Sequence, residues 1–77
     1  MEEKILEILE SICNTDEVRK DKDIDLFENG LLDSLGMIEL ILEIEKKLGI
    51  AIQPTEIERK DIATPNKIIG YLESRVK

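Results

Sequence analysis

The stretch from Ser34 to Leu48 limits what the chain can fold into more than any other part of the sequence. Its apolar residues recur at helical spacing and cover well over half of the circumference of a helix. A helix this apolar either lies at the centre of a bundle or leaves part of its surface exposed for docking. Gly49 is the expected C-cap. The stretch therefore predicts the strongest helix of the chain, over residues 34–48.

Two further segments show helical patterns. Residues 2–13 carry a single apolar stripe between charged positions. Thr64-Pro65 opens the last helix, with Thr64 as N-cap and Pro65 at the first helical position. Aromatic residues make up only 3% of the chain, so the core must be built from Ile, Leu and Val.

Between the long helix and the last one, the sequence predicts a short helix. Thr55 followed by Glu58 is a capping-box pattern, which places this helix at residues 55–60. Ile50-Ala51-Ile52 has no second strand to pair with and is expected to be extended chain packed on the core. The predicted fold is all-α: one domain over residues 1–77, a small four-helix bundle of three longer helices and one short helix.

Residues 14–33 form a long loop between the first and second helices. Apolar residues are spaced along it, which predicts that it is pinned to the core. Asp21, Asp23 and Asp25 look like the start of a calcium loop, but Leu26 and Leu32 stand where such a loop needs Gly and Glu. We expect a solvated acidic loop and no dedicated metal site.

Composition argues against several kinds of partner. A net charge of −7 opposes binding to nucleic acid and to anionic lipid headgroups, and favours proteins with basic docking surfaces. No apolar run approaches the roughly 20 residues that span a bilayer, and the N-terminus has no signal-peptide pattern. The single cysteine, Cys13, continues an apolar stripe and is expected to be buried rather than reactive. We expect a monomeric cytoplasmic protein.

Ser34 is the only candidate for a chemically functional residue that remains after the other site types are considered. The chain has no histidine, no zinc-type ligand spacing and no glycine-rich phosphate loop, so we expect it not to be an enzyme. At the start of a helix, Asp33 or Ser34 could be a plain N-cap. Ser34 could instead be the attachment point of a phosphate-linked group, facing free N–H groups and the positive end of the helix dipole. The residues alone leave both readings open.

A resemblance favours the second reading. Gly30-Leu31-Leu32-Asp33-Ser34-Leu35, preceded by Leu26-Phe27-Glu28, resembles the prosthetic-group site of acyl and peptidyl carrier proteins, and the similarity covers essentially the whole chain. The resemblance implies that Ser34 carries 4′-phosphopantetheine, whose thiol holds an acyl group as a thioester. It also implies that Asp33 helps to bind the magnesium of the modifying phosphopantetheinyl transferase.

The resemblance also implies a docking surface on the long helix. Glu39 matches a family position that docks onto basic patches of partner enzymes, and Glu43 lies one turn further along the same face. Met37 matches a position beside the arm, although its spacing alone would place it in the core or at its edge. Leu35, next to Ser34, completes the set of predicted docking residues.

A narrower resemblance is to the D-alanyl carrier proteins of teichoic acid modification, carried by Asp33-Ser34-Leu35-Gly36, Leu42-Glu43-Ile44-Glu45, Glu56, Arg59 and Thr64-Pro65-Asn66-Lys67-Ile68. The chain departs from that subfamily at Ile57 and Ile62, where Phe and Trp are usual, and at Gln53, where proline is usual. These positions are expected near the resting place of the arm and its cargo.

The narrower resemblance implies D-alanine as cargo for lipoteichoic acid D-alanylation in cell wall biogenesis. The partners it implies are a D-alanine–carrier protein ligase and a downstream acyltransferase in the membrane. Two alternatives stay open. One is a general acyl carrier for fatty acid, polyketide or other aminoacyl biosynthesis, and the other is an unmodified helical module that binds partner proteins.

Overall fold

The computed structural model describes residues 2–75, and every regular element in that range is helical. The α-helices are α1 (Glu2–Cys13), α2 (Glu17–Lys20), α3 (Ser34–Leu48) and α4 (Pro65–Arg75), and two 3₁₀ turns lie at Pro54–Glu56 and Arg59–Asp61. The all-α fold with three longer helices is confirmed. Over the same residues, no helix is long and apolar enough to cross a membrane.

The core is aliphatic and draws on every part of the chain. Its most deeply buried leucines are Leu9 on α1, Leu26 in the loop, Leu40 on α3 and Leu72 on α4, each at most 1% exposed. Burying one such side chain contributes about 1.5–3 kcal/mol. α1 packs most extensively on α3 and also contacts α4 and α2. The helix with the most packing partners is therefore α1. Of the two alternatives for the long apolar helix, the structure favours the second, because α3 packs in the bundle and leaves Leu35, Ile38 and Leu42 exposed.

The predicted caps of α3 and α4 are present. Gly49 ends α3 in the left-handed conformation, at φ 71°, and its N–H donates to the carbonyl of Glu45 at 3.0 Å. A left-handed residue after a helix favours glycine, which has no Cβ to clash. The hydroxyl of Thr64 accepts a hydrogen bond from the N–H of Lys67 at 3.1 Å, and Pro65 is the first residue of α4.

The loop between α1 and α3 is pinned to the core, as predicted. Val18, Leu26 and Leu32 are buried. The backbone N–H of Leu26 donates to the carbonyl of Ala63 at 2.7 Å, which joins the loop to the segment before α4. Asn66 strengthens this junction, because its backbone N–H donates to the carbonyl of Lys22 at 2.9 Å. The loop also contains the one-turn helix α2, which the sequence pattern did not predict.

Charged side chains hold α2 against α1. The guanidinium of Arg19 donates to Glu3 at 2.9 Å and to Glu10 at 2.5 Å. These hydrogen bonds raise the pKa of Arg19, with Glu3 as the larger cause, and the bond from Arg19 lowers the pKa of Glu3. Lys22 adds an ion pair with Glu2 at the start of α1. The position of the loop is therefore set by charge as well as by apolar contacts.

The prediction of a capped helix starting at Thr55 is wrong. The chain forms two separate 3₁₀ turns, and the first has Gln53 as its N-cap, with the Gln53 N–H donating to Glu56 at 3.1 Å. Pro54 has its φ fixed and lacks an N–H, which suits the first helical position and starts the turn before Thr55. Ile57 then adopts an extended conformation and is 5% exposed, so the turn ends where this side chain enters the core.

The three positions that depart from the D-alanyl carrier subfamily do not group on one surface. Ile57 and Ile62 are buried in the core, whereas Gln53 is exposed. The direct effect of having Ile at positions 57 and 62 is therefore on the packing of the core. Ile52 is also buried, in extended chain, as predicted for residues 50–52.

Candidate functional site

A tight turn leads the chain into the site. One carboxylate oxygen of Asp25 accepts hydrogen bonds from the N–H groups of Phe27 and Glu28, at 3.0 and 2.8 Å. Gly30 then has a φ of 70°, and its N–H donates to the carbonyl of Phe27 at 3.2 Å. This left-handed conformation is the reason a glycine is needed at position 30. The turn reverses the chain just before the start of α3.

Backbone hydrogen bonds then fix the residues that precede Ser34. The carbonyl of Leu26 accepts from the N–H groups of both Leu31 and Leu32, at 2.9 and 3.0 Å. Leu26 is fully buried and Leu32 is 3% exposed, so the core holds this segment at two points. The start of α3 therefore has a fixed position relative to the rest of the bundle.

Asp33 is the N-cap of α3. Its Oδ1 accepts a hydrogen bond from the N–H of Gly36 at 2.7 Å, and its backbone is extended. Ser34 is the first residue of the helix and is exposed. Asp33 rather than Ser34 thus performs the capping, and the serine hydroxyl is left for other contacts.

Gly36 allows the first turn of α3 to pack closely. A Cβ at this position would lie 3.0 Å from Cδ1 of Leu32, 3.2 Å from Oδ1 of Asp33 and 3.6 Å from Cγ2 of Ile12. The first two distances are shorter than ordinary van der Waals contact. The absence of a side chain at Gly36 therefore leaves room for the buried Leu32 side chain and for the capping carboxylate of Asp33.

Arg59 brings a positive charge to Ser34. Its Nη2 donates a hydrogen bond to Oγ of Ser34 at 2.9 Å, and its guanidinium carbon lies 5.1 Å from the centroid of the Phe27 ring. The second distance is within the range of a cation–π contact. The sequence pattern did not predict either contact, because Arg59 is 25 residues from Ser34 and belongs to no local motif with it.

The surroundings of Ser34 Oγ fit a negatively charged, phosphate-linked group. The oxygen is exposed at the N-terminus of a 15-residue helix, where free N–H groups and the helix dipole favour an anion. The Arg59 guanidinium already lies within hydrogen-bond distance of it. Attachment at Ser34 would leave the cap of α3 intact, since that cap belongs to Asp33.

The predicted docking residues divide between two sides of α3. Leu35 is 69% exposed, and Glu39 is exposed beside it along a groove between α1 and α3. Glu43 lies in the same groove, one turn further on. Met37, in contrast, is only partly exposed and packs against the core. The structure therefore brings Leu35, Glu39 and Glu43 to one surface and separates Met37 from them.

Two exposed apolar residues on α3 were not among the predicted site residues. Leu42 is 60% exposed and Ile38 is 39% exposed, and both lie on the outward face of the helix with Leu35. The wide apolar arc of the helix was the signal that could have identified them. Glu43, on the edge of this face, is paired with Lys47, four residues further along the helix, at 3.6 Å.

Asp21, Asp23 and Asp25 each make a different contact. Asp21 accepts from the backbone N–H of Asp23 at 3.0 Å, and Asp23 accepts from the side-chain amide of Asn66 at 2.8 Å. Asp25 caps the turn before α3. Within residues 2–75, no three acidic or cysteine side chains converge as metal ligands would.

Comparisons with known proteins agree with this geometry. Residues 3–72 match the family model described as "Phosphopantetheine attachment site". The D-alanyl carrier protein of Listeria monocytogenes serotype 4b is 49% identical over 72 residues, which are 94% of this chain and 92% of the relative. The D-alanyl carrier protein of Abiotrophia defectiva is 43% identical over 76 residues, 99% of this chain and 96% of the relative.

A third relative, the D-alanyl carrier protein of Lactococcus lactis subsp. cremoris (strain MG1363), is 45% identical over 75 residues, 97% of this chain and 95% of the relative. The family model and the relatives each cover nearly the whole chain, and the helix start that presents Ser34 lies within the matched residues. The chain belongs to the phosphopantetheine-bearing family of carrier proteins.

Proposed function

We propose that the protein carries D-alanine as a thioester on a 4′-phosphopantetheine arm attached to Ser34, and delivers it for lipoteichoic acid D-alanylation. The observation that carries the attachment site is the exposed Ser34 Oγ at the start of α3, 2.9 Å from a guanidinium donor. The choice of D-alanine rests on the D-alanyl carrier proteins that are 43–49% identical to this chain.

The attachment reaction requires Ser34 to act as the acceptor of a phosphoryl group. With coenzyme A as donor, Ser34 Oγ attacks the phosphorus that bears the pantetheine, and the Oγ–P bond forms. The bond from that phosphorus to the neighbouring phosphate breaks, so adenosine 3′,5′-bisphosphate leaves and the hydroxyl proton passes to a base of the transferase. Arg59 stabilises negative charge that develops on Oγ, because its Nη2 already donates to this atom.

Asp33 and Gly36 position the serine for this reaction. The Asp33–Gly36 hydrogen bond holds the first turn of α3, so the backbone at Ser34 is fixed before a transferase binds. Asp33 is itself exposed, which leaves its carboxylate accessible to the magnesium of the transferase.

Once the arm is in place, its terminal thiol supplies the thioester chemistry. The chain contains no histidine that could act as a base toward the cargo. We therefore place every catalytic step on the cargo in the partner enzymes and give this protein the role of presenting the arm. A cytoplasmic location and a monomeric state remain predictions from the sequence.

The partners would be a phosphopantetheinyl transferase, a D-alanine–carrier protein ligase and a membrane-bound acyltransferase. The outward face of α3 is suited to brief contacts with each of them in turn. It combines the exposed Leu35 and Leu42 with the carboxylate of Glu39, and the whole chain has a net charge of −7. Complementary charge raises encounter rates without requiring tight binding.

The cargo is tested by loading the modified protein. The holo-protein is prepared with coenzyme A and a transferase and is then incubated with ATP in two separate reactions. The first contains D-alanine and a D-alanine–carrier protein ligase, and the second contains a fatty acid and an acyl–acyl carrier protein synthetase, which loads fatty acids onto carrier proteins. We expect the first pair to add the mass of one alanyl group to the holo-protein. Hydroxylamine should remove this group, and the unmodified protein should not gain it. Loading by the fatty acid pair alone would contradict the D-alanyl assignment and favour a general acyl carrier.

A further inference from the structure

The second 3₁₀ turn fixes Arg59 in place beside Ser34. The turn, Arg59–Asp61, is closed by the N–H of Glu58 donating to Asp61 at 3.0 Å. From this turn the Arg59 side chain passes by the Phe27 ring, 5.1 Å from its centroid, and reaches Oγ of Ser34. Two independent contacts, one polar and one with a π face, therefore set the direction of the guanidinium.

Arg59 also differs from the other arginines in its partners. Arg19 is paired with Glu3 and Glu10, and Arg75 is paired with Glu56. Within residues 2–75, no carboxylate forms an ion pair with Arg59. Its guanidinium contacts the hydroxyl of Ser34 and the ring of Phe27, which leaves further N–H groups available for an anion.

We propose that Arg59 binds the phosphodiester at the base of the phosphopantetheine arm, and that Phe27 holds it in position to do so. The inference rests on the proposed attachment at Ser34. Once Oγ is esterified, the phosphorus is one bond beyond the atom that Arg59 already contacts. The fork of guanidinium N–H groups matches the geometry of phosphate oxygens. Arg59 is thus a positioning residue, which limits the directions in which the arm leaves the protein.

A purely structural role for Arg59 makes a different prediction. If the guanidinium only joined the turn at Phe27 to the second 3₁₀ turn, its removal would change the free energy of unfolding and leave the surroundings of the phosphodiester the same. Lys60 provides a matched control, because it is the next residue in the same turn, carries the same charge and is paired with Glu58 at 3.3 Å. Loss of a charge from this part of the surface can therefore be separated from loss of the contact.

The test is phosphorus NMR of the holo-protein, after intact mass has verified the modification. We expect Arg59→Gln to shift the phosphorus resonance toward that of a phosphopantetheinyl-serine peptide and to narrow it, because the arm gains motion. Arg59→Lys should restore part of the shift, and Lys60→Gln should leave the resonance where it is in the unsubstituted protein. Phe27→Leu, which keeps an apolar side chain but removes the ring, should shift the resonance in the same direction as Arg59→Gln.

The outcomes separate this inference from the one on which it rests. A holo-protein of the correct mass whose phosphorus resonance is the same with Arg59 and with Gln at this position would overturn the role of Arg59 alone. A resonance that moves equally in the Lys60→Gln variant would overturn it too, by reducing the effect to net charge. Absence of any modification at Ser34 would overturn both proposals.

Discussion

Oδ1 of Asp33 lies 2.7 Å from the backbone nitrogen of Gly36 and accepts its hydrogen bond. This contact gives one residue two tasks. The side chain of Asp33 closes the first turn of α3, and in the proposed reaction the same carboxylate serves the transferase that modifies Ser34. The two tasks depend on different properties, because capping needs a hydrogen-bond acceptor and magnesium binding needs a negative charge.

Substitutions at Asp33 should separate these tasks. Asp33→Ala removes the acceptor and should lower the free energy of unfolding by about 1 kcal/mol. Asp33→Asn keeps an acceptor, so its stability should stay within a few tenths of a kcal/mol of the parent, while modification by the transferase slows in both variants. Urea unfolding and the initial rate of modification measure the two effects. An Asn variant as unstable as the Ala variant would contradict the capping role.

The exposed leucine on α3 should matter for partners and not for folding. Leu42 is 60% exposed, so Leu42→Ser should change the free energy of unfolding by no more than about 0.5 kcal/mol and raise the KM of the ligase for the holo-protein. Leu40, two residues away and 1% exposed, is the contrasting position, and Leu40→Ala should cost about 2–5 kcal/mol. Unchanged ligase kinetics in the Leu42→Ser variant would remove this residue from the docking surface.

The charge of Glu39 should steer partner enzymes. Glu39→Gln should raise the ligase KM and weaken its dependence on salt, because one attractive charge is lost from the docking face. Glu73→Gln is the matched control, since Glu73 is also exposed but lies on α4. If both variants have the same KM and the same salt dependence, the effect reflects total charge and not a docking position.

Cys13 should react slowly with thiol reagents in the folded protein. Cys13 is only partly buried, where the sequence predicted a buried residue. This partial burial raises the pKa of its thiol, so less thiolate is present at about pH 8 than in the unfolded chain. Ellman's reagent should label Cys13 slowly in the unmodified folded protein and quickly in urea. After phosphopantetheine is attached, the folded protein should gain one additional thiol that reacts quickly. Equal rates for the folded and unfolded unmodified protein would show that Cys13 is not protected.

The same pKa shift makes a small part of the stability depend on pH. Because the thiol pKa is raised on folding, this contribution is fully present below the unfolded-state pKa of about 8.5 and is lost as the pH rises through the higher folded value. The Cys13→Ser variant should lack this part of the alkaline decline in urea-unfolding stability.

Local patterns predicted the parts of the fold that depend on neighbouring residues. The apolar periods of α1 and α3 and the caps at Gly49 and Thr64 follow from residues close together in the sequence. The spacing of apolar residues along the loop predicted that the loop is pinned to the core, but not which residues it contacts there. The same reasoning failed at Thr55, because a capping-box pattern competes there with Pro54 and with the burial of Ile57.

The contacts that were missed join distant parts of the chain. Arg19 reaches Glu3 across 16 residues, and Arg59 reaches Ser34 across 25. The periodicity of apolar residues does not predict such pairs, because their proximity depends on how the loop and the 3₁₀ turns pack on the bundle. The exposed position of Ser34 was predictable from the helix start, whereas the cation beside it required the fold.

The most direct test of the account is intact mass after incubation with coenzyme A and a phosphopantetheinyl transferase. Ser34→Ala is compared with Ser11→Ala and Ser74→Ala, which remove the other two serines of the chain. The account predicts a mass gain of one phosphopantetheine group in the parent, in Ser11→Ala and in Ser74→Ala, and none in Ser34→Ala. No gain in the parent, or a gain that persists in Ser34→Ala, would contradict it.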